Sequence, residues 1–144
     1  MAVPPEHHGS GAVTSMTEFP LAARRTAWDG DTAEAAIRVK TGAEDAPNAA
    51  YGECFFWHDA AEAERYGSYK LLYCDVIDDE IKAVPHAIFA VAGILDGARG
   101  GTTIPESEQA EIKTVVAEWY EKMAREFDDA SLGAPWARSG GGGT

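Results

Sequence analysis

The sequence predicts an α+β domain in which a small antiparallel sheet is covered by helices. Three observations predict it. Two runs of apolar and β-branched residues, "SYKLLYCDVI" and "EIKAV", flank Asp78 and Asp79. The pattern then switches from strand-like to helical at Pro85. Finally, Ile112, Val116, Trp119, Met123 and Phe127 recur at spacings of three and four, the clearest helical stripe in the chain.

The elements follow in order. Residues 1–18 are rich in Pro, Gly, Ser and Thr and read as an extended N-terminal arm. Pro20 disfavours helix through Phe19, so the domain is entered in extended form. "WDGDTAEAAIRVKTG" reads as a short helix capped by Asp31 or Thr32 and stopped by Gly42, with Ala33, Ala36 and Ile37 as a narrow inner stripe. "ECFFW", residues 53–57, is short and aromatic and suits a strand. Residues 68–77 and 80–84 are the two arms of a hairpin spanning about 68–84, turning at Asp78-Asp79. That pair lacks the glycine of the best two-residue turn, which leaves the turn type open.

Pro85 suits the first position of a helix, where its missing N–H has no intrahelical partner anyway. That helix runs over about 85–96, with Ile88, Ala92 and Leu95 on one stripe and Phe89 beside it. The glycines of "DGARGG" end it. The second main helix spans about 105–128, and its acidic first turn suits the helix dipole. On its outer face Glu118–Lys122 and Glu121–Arg125 are spaced to pair. Residues 129–144 end in "SGGGGT" and read as a flexible tail, leaving 19–128 as a single domain.

Composition narrows the function. The chain has 144 residues, 45% of them hydrophobic, enough for one domain with a core of its own. No apolar run approaches the roughly 18 residues of a membrane span. "MAVPPEHHGSGAV" has no basic stretch followed by an apolar one, so no signal peptide is expected and the site of synthesis is the cytoplasm. The net charge of −12 repels nucleic acid, so no direct nucleic-acid or membrane partner is expected. Cys54 and Cys74 each lie in a strand-like run without CxxC spacing and read as buried free thiols.

Groups that carry chemistry are present but poorly patterned. His58, Asp59, His86, Cys74 and Asp75 lack metal-ligand spacing, so no metal is expected. Ser68 with His58 or His86 lacks a nucleophile elbow. Asp75, Asp78 and Asp79 would act as paired carboxylates only across a cleft. "GARGGTT" has neither phosphate-loop pattern, and His7 and His8 stand together in the arm. No cofactor and no enzymatic activity are expected, and a small hydrolase using these groups is the last of three alternatives.

Taken together, "WDGDTAEAAIRV", "FFWHD", "YGSYKLLYCDVIDDEIKAVPHAIFAVAGIL", "GARGGTTIPESE" and "WYEKMAREF" resemble a tailed-phage domain of virion-assembly genes. The resemblance covers about residues 19–128 and rests on the order of several motifs. It is to a segment that accompanies capsid-maturation (prohead) proteases and also occurs as a separate small protein. The protease core is not part of it, so no catalytic residue carries over. His58 and His86 stand where the pattern has an aromatic and an arginine.

The resemblance implies a phage virion structural protein. The leading expectation is a small capsid-associated protein, a decoration or minor capsid protein, bound to the major capsid protein or another virion protein. Its location is then the capsid surface, after assembly in the host cytoplasm, and a homo-oligomer is a further expectation. The runner-up is a capsid-assembly factor, scaffold-like or accessory to the prohead protease. The residues expected to touch a partner are Val3, Pro4 and Pro5 in the arm, Phe19 at the entry to the domain, and Pro135 and Trp136 in the tail. They are apolar residues in extended segments, and the prolines lower the ordering cost of docking.

Overall fold

The computed structural model describes residues 11–97 and 102–136. Within them five strands and four helices form an α+β fold. Strand β1 (Gly11–Val13) is followed by helix α1 (Gly30–Thr41), the single-turn helix α2 (Ala49–Gly52) and strand β2 (Phe55–Asp59). Two 3-10 turns lead to β3 (Tyr69–Leu72), β4 (Cys74–Ile77) and β5 (Glu80–Ala83). The helices α3 (Pro85–Leu95) and α4 (Glu106–Glu126) complete the order.

The hairpin forms about Asp78-Asp79 as its sequence predicts. Cys74 pairs with Ala83 and Ile77 with Glu80, antiparallel, across a two-residue turn. Both turn residues have positive φ, 55° and 65°, the signature of a type I′ turn. Left-handed backbone is unfavourable for residues with a Cβ, so Asp79→Gly is expected to stabilise the domain by up to about 1 kcal/mol. The Lys40–Asp79 ion pair lost in that change spans 3.3 Å, with the Asp79 side chain 93% exposed, so it contributes little. A lowered thermal midpoint would contradict this expectation.

The run at 68–77 is not one strand. It divides into β3 and β4, which belong to different sheets: β1-β2-β3 and β4-β5. Leu71, inside β3, sits at φ 67°, an unusual conformation for a branched side chain, two residues before the chain passes to the second sheet at Tyr73. Local β-propensity is continuous through this point. The break serves tertiary packing instead, because it buries both Tyr73 and Cys74.

Several boundaries shift for identifiable reasons. The strand expected at 53–57 runs from Phe55 to Asp59, because Glu53 and Cys54 still close the turn after α2. Asp29, not Asp31 or Thr32, caps α1, accepting from the amides of Asp31 and Thr32. Gly42 ends that helix at φ 74°, and the Ala43 amide donates to the Arg38 carbonyl at 2.8 Å. Pro85 is the first residue of α3, and Gly97 at φ 104° follows its end. Pro105 caps α4 rather than starting it, and the helix ends at Glu126.

The expected arm and tail also need correction. Residues 11–13 are a sheet strand: Gly11 pairs with Asp59 and Val13 with Trp57. Past α4, Ala134 is buried, and Leu132 and Trp136 pack against the core. The domain therefore extends beyond 19–128 at both ends.

The core lies between the sheets and the helices. α1 packs on β4, and α3 packs on α4. Ile112, Val116, Trp119 and Met123 are all fully buried, while Phe127, at the helix end, is half-buried. Lys122 is not held by Glu118: its ammonium donates to the Phe19 carbonyl at 3.0 Å. A second anchor joins α1 to α2. Tyr51 donates to Glu34 at 2.6 Å, Arg38 bonds the same carboxylate, and the guanidinium lies 3.6 Å from the centre of the Tyr66 ring. Burial first, and the neighbouring Glu34 second, push the Tyr51 hydroxyl far above the ordinary tyrosine range.

Candidate functional site

The groups proposed for hydrolysis do not converge. His58 and Ser68 are near neighbours in the β2–β3 pairing, where His58 is opposite Tyr69. Ser68 ends the 3-10 turn just before β3, and the two side chains line different clefts. His58 stacks on Tyr69, with ring centres 4.7 Å apart, in a cleft with Asn48 and Gly52. Burial lowers its pKa, against the raising effect of Asp59. Ser68 lines a different cleft with Trp57 and Asp59, and its hydroxyl donates to the Arg65 carbonyl at 2.9 Å.

The carboxylates and thiols are occupied by structure. Asp75 Oδ1 accepts from the Val76 amide at 2.7 Å, and Asp78 and Asp79 form the exposed hairpin tip. His86 is exposed in the first turn of α3 and lies edge-on to Phe89. Cys54 and Cys74 are buried free thiols, and burial, reinforced by Cys54, pushes the Cys74 thiol well up. Among the described residues no three His, Cys, Asp or Glu side chains gather as metal ligands would. No helix among the described residues is long and apolar enough to cross a membrane.

The residues expected to bind a partner fall into three groups. Val3, Pro4 and Pro5, like His7 and His8, lie outside the described residues. Pro135 and Trp136 are half-buried, and Trp136 folds back on its own last helix with the Lys113 ammonium 5.4 Å from its ring centre. Phe19 is half-buried and lines a groove with a volume of about 870 Å³.

That groove has an origin in the chain path. The segment 11–22 is anchored to both sheets. At its start β1 pairs with β2, and the Thr14 amide donates to the Phe56 carbonyl at 2.9 Å. At its end the Ala83 amide donates to the Pro20 carbonyl and the Ala22 amide to the Ala83 carbonyl, both at 2.8 Å. Between the anchors, the amides of residues 15–19 bond to neither sheet among the described residues. The seam thus left open has Met16 and Phe19 on one wall and Glu80 and Ile81 on the other, with Lys40 and Glu53 also lining it. Thr17 and Tyr73 share a 3.1 Å hydrogen bond behind it, and burial holds the Tyr73 hydroxyl far above its ordinary pKa.

Only part of this site was accessible to sequence reasoning. Phe19 was identified from its place at the domain entry. The opposite wall was missed, because "EIKAV" carries no sign of which backbone edge remains unpaired. The signal available was the type I′ turn geometry, which fixes the side to which each residue of β5 points its amide. Comparison with protein-family models, with curated proteins and with solved structures gives no match.

Proposed function

We propose that this protein is a virion structural protein of a tailed phage, a small capsid-associated decoration or minor capsid protein that docks on the assembled shell. The observation that carries the reading is the open seam between residues 15–19 and β5, where Phe19 stands at the wall of a groove without a catalytic grouping. Such a seam suits binding. The resemblance over 19–128 supplies the phage context. The net charge of −12 suits a surface turned away from packaged DNA, whose phosphates would repel it. The partner on this reading is the major capsid protein or another virion protein.

The test is cosedimentation of the full chain with shells of the phage that encodes it, together with protein analysis of purified particles. Saturable binding and a high copy number per particle are the expected results. Phe19→Ala is expected to weaken binding by about tenfold, the effect of losing an interface side chain worth about 1.4 kcal/mol, with the thermal midpoint checked alongside. Any truncation of the N-terminus must stop before Gly11, because residues 11–13 belong to the sheet. A protein present during assembly and absent from finished particles would instead be an assembly factor.

A further inference from the structure

The edge of β5 facing the seam has a definite hydrogen-bonding state. In a hairpin with a two-residue turn, the pair flanking the turn exchanges both of its hydrogen bonds, and alternate residues then point outward. Ile77 and Glu80 are that flanking pair. Asp75 and Lys82 are therefore the next bonded pair, while Ile81 and Ala83 turn their N–H and C=O groups away from β4. The outward groups of Ala83 are taken by Pro20 and Ala22, which confirms the phase. Ile81 is the next outward residue along the strand. Its amide and carbonyl open toward the seam, and no described residue bonds them.

The surroundings select among occupants. Glu18, Glu53, Asp79 and Glu80 border the groove against a single cation, Lys40, whose ammonium already lies 3.3 Å from Asp79. Met16, Phe19 and Ile81 supply apolar surface between them. An extended chain alternates its side chains, so one face of an incoming strand meets the apolar wall while cationic side chains reach the carboxylates. An acidic segment would meet like charge at every step.

We propose that the seam accepts an extended basic peptide segment of a partner protein, which pairs with the Ile81 edge of β5 and is held by the carboxylate rim. This rests on the reading of the protein as a shell-binding module and names the chemistry of what it grips. The main chain of residues 15–19, whose amides bond to neither sheet among the described residues, provides the second wall, so the occupant fills the gap between the two anchor points of segment 11–22.

The experiment uses the full chain and three synthetic octapeptides. One alternates Lys with Val and Thr. The second replaces each Lys with Glu. The third is the basic peptide N-methylated at alternate residues, so that it cannot donate along one edge. Binding is measured by calorimetry, and its location by amide chemical-shift changes. The basic peptide is expected to bind, with the largest shifts at Ile81 and residues 15–19. N-methylation is expected to weaken it by about tenfold, since two or so hydrogen bonds are lost. The exposed pair Glu18→Lys and Glu80→Lys, with an unchanged thermal midpoint, is expected to weaken it by about tenfold at low salt, and added salt to weaken the wild-type complex. Equal binding of the acidic peptide, indifference to N-methylation, or shifts confined to another face would overturn the proposal. The same double variant is then tested on shells. Wild-type shell binding by a variant that no longer takes the peptide overturns the seam as the docking site and leaves the shell reading intact. Peptide binding at Ile81 without any shell binding supports the seam and overturns the shell reading.

Discussion

Replacing Trp119 with alanine is expected to destabilise the domain by about 3–5 kcal/mol, a large fraction of the 5–15 kcal/mol that holds a typical domain together. The side chain is fully buried on α4. Its ring centre lies 5.5 Å from that of Tyr73, which in turn stacks on Phe56 at 4.1 Å. Phe56, Tyr73 and Trp119 therefore form a continuous aromatic column through β2, the corner between β3 and β4, and α4. Removing the last member leaves a cavity beside the Tyr73 ring, in a core where Tyr73, Val116 and Met123 are also fully buried.

Trp119→Phe separates packing from polarity. The indole N–H is buried without a hydrogen-bond partner among the described residues. A buried unsatisfied donor costs about 1–3 kcal/mol, so phenylalanine loses some volume and also sheds that penalty. Its expected loss is under about 1.5 kcal/mol, far less than that of alanine. Urea unfolding followed by far-ultraviolet circular dichroism measures both, since fluorescence changes when the tryptophan is removed. A loss below about 1 kcal/mol for Trp119→Ala, at unchanged dependence on urea, would mean that α4 docks without the column.

What the sequence showed, and what it hid, divides by range. The stripe from Ile112 to Met123 was legible because helical spacing is local, and it is buried as expected. The hairpin was legible because Asp78 and Asp79 interrupt two strand-like runs and Pro85 ends the second. The break between β3 and β4 was hidden, since no Gly or Pro interrupts "SYKLLYCDVI" and only long-range packing divides it. Strand β1 was hidden because three residues are too few to show a period. The cap of α1 was ambiguous for a plainer reason: "WDGDT" offers three capping side chains within four residues, and the first is used. Of the site, Phe19 was visible, and the unpaired edge at Ile81 was not, because hydrogen-bond phase depends on the turn and not on side chains.

Gly11 and Glu108 carry the second large effect, and it joins stability to the seam. Glu108 looked like one of several acids favoured by the first turn of a helix. It is in fact 6% exposed, and its Oε1 accepts the Trp57 indole N–H at 2.6 Å, a bond spanning 51 positions of sequence. The backbone of Gly11 lies directly over this pair. A Cβ at position 11 would overlap both the Glu108 carboxylate oxygen and the Trp57 indole nitrogen. Close approach, rather than unusual backbone, requires glycine here. Gly11→Ala is therefore expected to cost about 1–3 kcal/mol by overpacking, unless β1 leaves the sheet to relieve it. Glu108→Ala leaves the indole donor buried without an acceptor and is expected to cost about 1–3 kcal/mol on its own. Glu108→Gln keeps an acceptor and is expected to cost less. Because alanine at 108 removes the nearest of the three atoms that a methyl at 11 would strike, the two changes should couple, the double variant losing less than the sum by about 1 kcal/mol. Denaturation of the four proteins gives the cycle, and exchange of the Thr14 amide, which bonds the Phe56 carbonyl, reports whether β1 stays paired. The same strand is one of the two anchors that hold residues 15–19 across from β5. If β1 detaches in Gly11→Ala, the seam loses its fixed width, and the shell binding proposed above should fall in a protein whose groove side chains are untouched. Wild-type stability and a protected Thr14 amide in Gly11→Ala would show that the sheet absorbs the methyl and that this anchor does not depend on glycine.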